Sequence, residues 1–355
     1  DDQIPELASS RTTASVPIGG KYRIIDFDLS NMSNSGISNV GIVAKSNFQS
    51  LMDHVGSGSA YDLSKRRSNL SILPPYDGKA FSSFVETIYN MHGYIEHCRE
   101  EYVLISQGNV ITNIDYTDVF DFHSKKKADI TLIYKKHAIP QGYDRPITLD
   151  VDNDGKVNQI FVKPGVVDKE VFNHAYGSIL IKKDLLMSEI RNAISVNQLD
   201  VRRLIQSSLG KYSIYAYENK GYCAAISSIN DYFEFNMDLM KKEVRDELFN
   251  PQRPIYTKVR DDAPSRYGLT SNVKNSIIAQ GCVINGDVEN CVISKGVYVG
   301  EGAKLSNCIV MQDTKIGCNT NLNYVIIDKD VTIKDGRSLM GYDSYPIYIA
   351  KKSVV

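Results

Sequence analysis

The chain has 355 residues, of which 42% are apolar and 23% charged, with a formal net charge of −1. That length and balance suit two globular domains, and the near-zero charge supplies no bulk field to draw in nucleic acid or an anionic membrane. No apolar run approaches the ~18 residues that cross a bilayer, and no secretory signal opens the sequence.

In chain order, Val40–Ala44 reads as a short apolar strand. Phe84–His97 spaces its apolar residues three and four apart and predicts one helix. Tyr102–Ser106 predicts a buried strand, Val119–Lys125 a helix and Ile130–Tyr134 a further strand. Strand, helix and strand at this spacing predict an α/β domain whose parallel or mixed sheet is covered by helices. Asp152–Gly155 predicts a turn between two strands, the second ending at Phe161. Lys220–Tyr222 closes another strand, with Cys223–Ala225 in the loop after it. Tyr232–Phe249 predicts one charged helix, stopped by Pro251 and Pro254.

Beyond residue 275 a six-residue rhythm takes over. Aliphatic frames begin at Ile278, Ile293, Val299, Val310, Ile316 and Ile327, so the later gaps alternate between six and eleven residues. A hexapeptide period of this kind marks a parallel β-helix, in which each short strand turns one aliphatic side chain inward against the next coil. The rhythm divides the chain into a first domain over 1–250, a linker over 251–275 and a β-helix over 276–355. Asp1 opens the chain without a Met, and residues are expected upstream. The cysteines, Cys98, Cys223, Cys282, Cys291, Cys308 and Cys318, contain no C-x-x-C pair and argue against a zinc site. They are read as reduced thiols of a cytoplasmic protein, and those in the repeats as small apolar fillers.

Ligands of an open α/β sheet sit beyond the carboxyl ends of strands. Three such ends can be read: Gln107–Val110, Val162–Gly165 and Cys223–Ala225. The first and third are where an enzyme would keep an acid, and neither holds Asp or Glu. Arg11, Lys21 and Arg23 flank the Ile18-Gly19-Gly20 turn. They form either an anion site, since the arginine fork matches phosphate, or a solvated or ion-paired face. Gly56-Ser-Gly-Ser59 is either a phosphate cradle or a mobile loop. Lys125–Lys127 reads as a solvated helix end. The six histidines show no metal-ligand spacing.

The stretch from Ser10 to Asn31 (SRTTASVPIGGKYRIIDFDLSN) resembles the opening segment of bacterial glucose-1-phosphate adenylyltransferase, also called ADP-glucose pyrophosphorylase. Asn34–Ile37, Val43–Lys45, Leu51–His54, Asn113–Tyr116, Lys163-Pro164 and the hexapeptides continue the likeness over nearly the whole chain. The resemblance implies a Rossmann-like nucleotidyltransferase domain followed by a left-handed β-helix. It also implies a family that joins ATP and glucose 1-phosphate into ADP-glucose and pyrophosphate, with magnesium, for glycogen synthesis. Hexapeptide acyltransferases normally use a histidine base in the β-helix. None is present here, which argues against that class.

The departures from the family pattern carry the functional expectation. The family's magnesium-holding Asp of a Gly-Asp-His loop falls on Asn109, and its second metal Asp falls on Ala225. Magnesium wants carboxylates and phosphates, so no metal and no firmly bound cofactor is expected on this chain. Thr13 replaces a phosphate-contacting Lys, Val162 a Glu, and Ala175 a Ser of the sugar pocket. The family's nucleotide loop has no counterpart in Lys79–Val85. Lys163 remains as the candidate sugar-phosphate contact. Arg11 and Arg23 match positions associated with anionic effectors, with Lys21 beside them. The pattern resembles the second, regulatory type of chain of Gram-positive bacteria, the GlgD type. It implies a heterotetramer with a catalytic subunit that carries the magnesium, and an anionic metabolite as effector. A self-sufficient adenylyltransferase with a rearranged metal site and a pure sugar-nucleotide binding module are the competing expectations.

Overall fold

The computed structural model describes residues 4–44, 46–64, 69–74, 83–138, 146–162, 171–259 and 261–355. The chain forms two compact units that interleave along the sequence. One comprises Asp1–Phe27, Asn47–Gly56 and Ala224–Val355, the other Asp28–Ser46 and Ser57–Cys223. The sequence-based division near 250 follows the repeat pattern, whereas these units are contiguous in space rather than along the chain.

The unit built on Asp28–Ser46 and Ser57–Cys223 holds a mixed sheet. Its strands run in the order Ile214–Glu218, Ile130–Ala138, Val171–Lys182, Ile147–Val151 and Val157–Val162, and Tyr102–Ile105 also pairs with Val171–Lys182. Ile214–Glu218 is parallel to Ile130–Ala138, and the other pairings are antiparallel. Ile130–Tyr134 has side chains suited to burial on both faces, as a central strand requires. Ile130, Leu132 and Tyr134 join one apolar cluster with Val85, Ile88, Leu186 and Ile190. Ile133 and Leu180 join another with Ile114, Tyr116 and Val119. The Lys183–Ser195 helix supplies Leu186, Met187, Ile190 and Ala193 at helical spacing, and all are buried. Asp115 caps the Tyr116–Lys126 helix by accepting from the Thr117 N–H. Asn39–Val43 pairs in parallel with Asn69–Leu73.

Three expectations are corrected. The helix predicted over 84–97 is two, Phe84–Asn90 and His92–His97, broken at Met91 with Gly93 following. The helix predicted over 232–249 is also two, Ile229–Asp238 and Lys242–Leu248. There the Arg245 guanidinium donates to the Leu239 and Met240 carbonyls at 2.7 Å each and takes up acceptors that a continuous helix would have used. Cys223–Ala225 is a short strand rather than a loop, and the strand before it is Ile214–Glu218, not Lys220–Tyr222. Asn219 and Gly221 turn the chain between the two, with the Gly221 N–H donating to Asn219 Oδ1 at 3.2 Å.

The other unit is dominated by a left-handed parallel β-helix of three five-stranded faces. Ile293, Val310 and Ile327 stack in one column, and Ile284, Val299, Ile316 and Ile333 in another. Every one of these is essentially inaccessible to water. The hexapeptide rhythm is therefore real, but each later coil uses 17 residues, as in the Cys308 N–H contact to Cys291 Sγ one coil below. Left-handed backbone recurs at Asn290, Asn307, Asn319 and Asp330, residue types that tolerate positive φ. At Gly300 the requirement is closeness: a Cβ would lie 2.8 Å from the Cys318 nitrogen. All six cysteines are free, and Cys282, Cys291 and Cys308 fill the interior of the stack.

Candidate functional site

The turn after Tyr102–Ile105 is where the sequence places the family's metal loop. Its Val110 N–H donates to the Gln107 carbonyl at 3.2 Å. Polar side chains frame it. Asn31 donates from Nδ2 to the Thr112 carbonyl at 2.9 Å and accepts from the Ile114 N–H at 3.3 Å. Asn219 donates to Thr112 Oγ1 at 2.8 Å, and that hydroxyl donates to the Tyr222 carbonyl at 2.8 Å. Ser106 Oγ donates to Asp28 Oδ1 at 2.7 Å. Burial pushes the Asp28 carboxyl up to about 7, the serine bond only partly opposing it.

Further along the same unit, the Val171–Lys182 strand shifts register between Ala175 and Ile179, and Gly177 has φ +82°. The Gln107 carboxamide rests directly on Gly177, so any side chain there would collide with it. Tyr176 and His174 point to a buried polar cluster. Tyr176 Oη lies 2.6 Å from His137 Nε2, which lies 3.0 Å from His174 Nδ1. Burial first, and the neighbouring His137 second, lower His174 to about 3, so it is neutral. Cys223 is pushed up to about 12 by burial and is no nucleophile at neutral pH. Ala175, expected from the resemblance at a sugar-pocket position, packs its methyl into the apolar cluster.

The expected cations take different partners. Arg11, only 4% exposed, sends Nη2 to both oxygens of Asp328, which is 1% exposed, at 2.7 and 2.6 Å. Tyr348 Oη and the Lys329 N–H also donate to that carboxylate, at 2.9 and 2.7 Å. Arg23 donates to the carbonyl and hydroxyl of Ser50 at 2.6 and 2.9 Å. Lys21 lies 5.1 Å from the Tyr22 ring centre. Arg11 and Arg23 both lie within electrostatic reach of Lys329. Burial, then Arg23 and Arg11, and finally Lys351 lower its ammonium to about 8, with Asp328 pulling the other way. Lys329 and Lys351 escaped sequence reasoning because they lie some 300 residues from the turn. No local sequence signal marks them, since Asp328, Lys329 and Asp330 simply alternate in sign.

Lys163 and Lys79–Ser82 lie outside the described residues. Asn109 and Ala225 are described, and they do not fit a magnesium site: one offers a neutral amide, the other no ligand atom. Among the described residues no three His, Cys, Asp or Glu side chains come together as metal ligands. Gly56 ends the Gln49–Val55 helix, and Gly58 leads into the Ser59–Tyr61 turn, where an added Cβ would lie 3.0 Å from Leu70 Cδ2. Of the Lys125–Lys127 run, Lys126 pairs with Asp154 and lies over Phe122 and Tyr215. No helix is long and apolar enough to cross a membrane among the described residues.

Comparison with known proteins agrees with this architecture. The nucleotidyl transferase family matches residues 3–242, and the GlmU-like, C-terminal hexapeptide family matches residues 258–345. The glycogen biosynthesis protein GlgD of Bacillus subtilis is 32% identical over 352 residues, 98% of this chain and 92% of the relative. GlgD of Geobacillus stearothermophilus is 37% identical over 85% of this chain and 79% of its own length. The glucose-1-phosphate adenylyltransferase of Clostridium acetobutylicum is 34% identical over 82% of this chain and 78% of the relative. By fold, motifs and identity along nearly its full length, the chain belongs to the nucleotidyl transferase family that comprises the bacterial glucose-1-phosphate adenylyltransferases and the GlgD proteins.

Proposed function

We propose that this chain acts in glycogen biosynthesis as a regulatory, largely non-catalytic subunit of ADP-glucose pyrophosphorylase. It modulates a catalytic partner that makes ADP-glucose and pyrophosphate from ATP and glucose 1-phosphate. The observation that carries this reading is the pair Asn109 and Ala225, which puts no charge where the family's enzymes hold magnesium. Thr13 and Val162 remove a further cation and a further carboxylate. In phosphoryl chemistry the metal neutralises developing charge, and a term of ~4 kcal/mol is roughly a thousandfold in rate. Magnesium is then the partner's, within a cytoplasmic heterotetramer, and this chain contributes a coupling free energy of about 1–3 kcal/mol. The effector is an anion held by Arg11, Lys21 and Arg23 together with Lys329 and Lys351. Lys163 is the remaining sugar-phosphate contact.

Purified chain given magnesium, ATP and glucose 1-phosphate should release almost no pyrophosphate. Addition of the catalytic subunit should change that subunit's rate and the elution volume. Turnover by this chain alone at the level of the family's enzymes would sink the proposal. The 34% identity to a glucose-1-phosphate adenylyltransferase favours the second reading, a self-sufficient enzyme with a rearranged metal site, and the same assay decides between them.

A further inference from the structure

Asp28 has no role in the function proposed above, yet its surroundings are unusual. The side chain is 5% exposed, and its hydrogen bond comes from one neutral hydroxyl, Ser106 Oγ, at 2.7 Å. The groups that face it are Ser106 at the end of the Tyr102–Ile105 strand, the Tyr116 phenol in the first turn of its helix, and the Cys223 thiol. No Lys, Arg or His pairs with it among the described residues. Lys135 acts on Cys223, but its ammonium is committed to the carbonyls of Lys220 and Gly221 at 2.7 and 2.6 Å. A buried carboxylate without a cation is costly, and the group escapes the cost by holding its proton.

The hydrogen-bond arithmetic makes the two protonation states differ in structure. Ser106 has a single hydroxyl proton and is bonded to both Asp28 and Tyr116. An ionised Asp28 accepts only, so it claims the serine proton and forces the tyrosine to donate to Ser106. A protonated Asp28 can itself donate, and the relay is then free to run the other way. Ser106 leads directly into the turn Gln107–Asn109, whose other fixed point is the Gln107 carboxamide lying on Gly177.

We propose that Asp28 is a proton switch for the Ser106–Asn109 turn, which is held in place while the carboxyl carries its proton and loosens when the carboxyl ionises. The direction follows from linkage. Closed, the carboxyl titrates at about 7. Opened to water it titrates near ~3.9. Protonation therefore favours the closed turn fully below pH ~4, and that preference is lost as pH rises towards 7. The opening equilibrium should increase about 50-fold between pH 5 and 7 and only about twofold more by pH 8.

Hydrogen exchange of the amides of residues 106–110, corrected for intrinsic rates, reads this directly. The native chain should show the 50-fold rise and plateau, and Asp28→Asn should be flat. An equal rise in Asp28→Asn, or no rise in the native chain, overturns the proposal. A ¹³C titration of aspartate carboxyls in the native chain needs no variant. One resonance with a midpoint near neutrality is expected, and the proposal fails if every aspartate titrates below pH ~5.

Discussion

The Arg11–Asp328 pair allows a sharp test of what fastens the N-terminal segment to the β-helix. Both side chains are removed from water, so the pair belongs to the class in which deleting one partner costs about 3–5 kcal/mol by stranding the other charge. Arg11→Ala leaves Asp328 with the Tyr348 hydroxyl and the Lys329 N–H as donors, which places the expected loss near ~3 kcal/mol. That is over a hundredfold in the folding equilibrium, at 1.36 kcal/mol per decade. Arg11→Met with Asp328→Leu removes both charges and should recover most of the loss, because a buried pair is often no better than apolar packing. Urea unfolding can be followed by tyrosine fluorescence, since the chain has 22 Tyr and no Trp. An Arg11→Ala variant within ~1 kcal/mol of the native chain would place the pair in effective contact with water and refute the argument.

Acid should weaken the molecule through His174. Its folded form is neutral down to about 3, whereas the unfolded chain takes a proton near ~6.5. The contribution is present above pH ~6.5 and falls by about 2 kcal/mol on going to pH 5, and His174→Gln should flatten the pH dependence of the melting temperature. Gly300→Ala should cost about 1–3 kcal/mol by forcing a methyl onto the neighbouring coil, read as a lower melting temperature. Cys282, Cys291 and Cys308 should resist a thiol reagent in the native chain and react on unfolding; rapid native titration of all six thiols would contradict the packing described.

The β-helix was legible because its chemistry is local. One aliphatic residue per face recurs at fixed spacing, and that pattern leaves little else for the segment to form. The central strand Ile130–Tyr134 was legible for a similar reason, its burial on both faces being written in five consecutive residues. The helix breaks were not, since the interruption near Leu239 is completed by Arg245 reaching back to free carbonyls, a side-chain act that periodicity cannot report. The charged cluster proposed to hold an anion was half legible. Arg11 and Arg23 stand out beside a glycine turn, but Asp328, Lys329 and Lys351 reach them only through folding. Asp28 carries no local signal in the sequence, and only its burial gives it a function to propose.

The proposal that the 107–110 turn lacks charge rather than shape can be tested directly. The frame around the turn is complete: Asn31, Thr112 and Asn219 hold it by bonds of 2.8 to 2.9 Å. Asn109→Asp changes an amide to a carboxylate of nearly the same size, so the frame has no steric reason to move. With Ala225→Asp added, the chain carries a carboxylate at both positions, and on the proposed reading magnesium-dependent nucleotide binding should rise above that of the native chain. Pyrophosphate release should improve by far less than the thousandfold that a metal term of ~4 kcal/mol allows, because Thr13 and Val162 still lack their charges. Titration calorimetry with ATP in the presence and absence of magnesium measures the first effect, and the pyrophosphate assay the second. A double variant that binds nucleotide no more tightly with magnesium than without it would show that charge at these positions is not what the chain lacks.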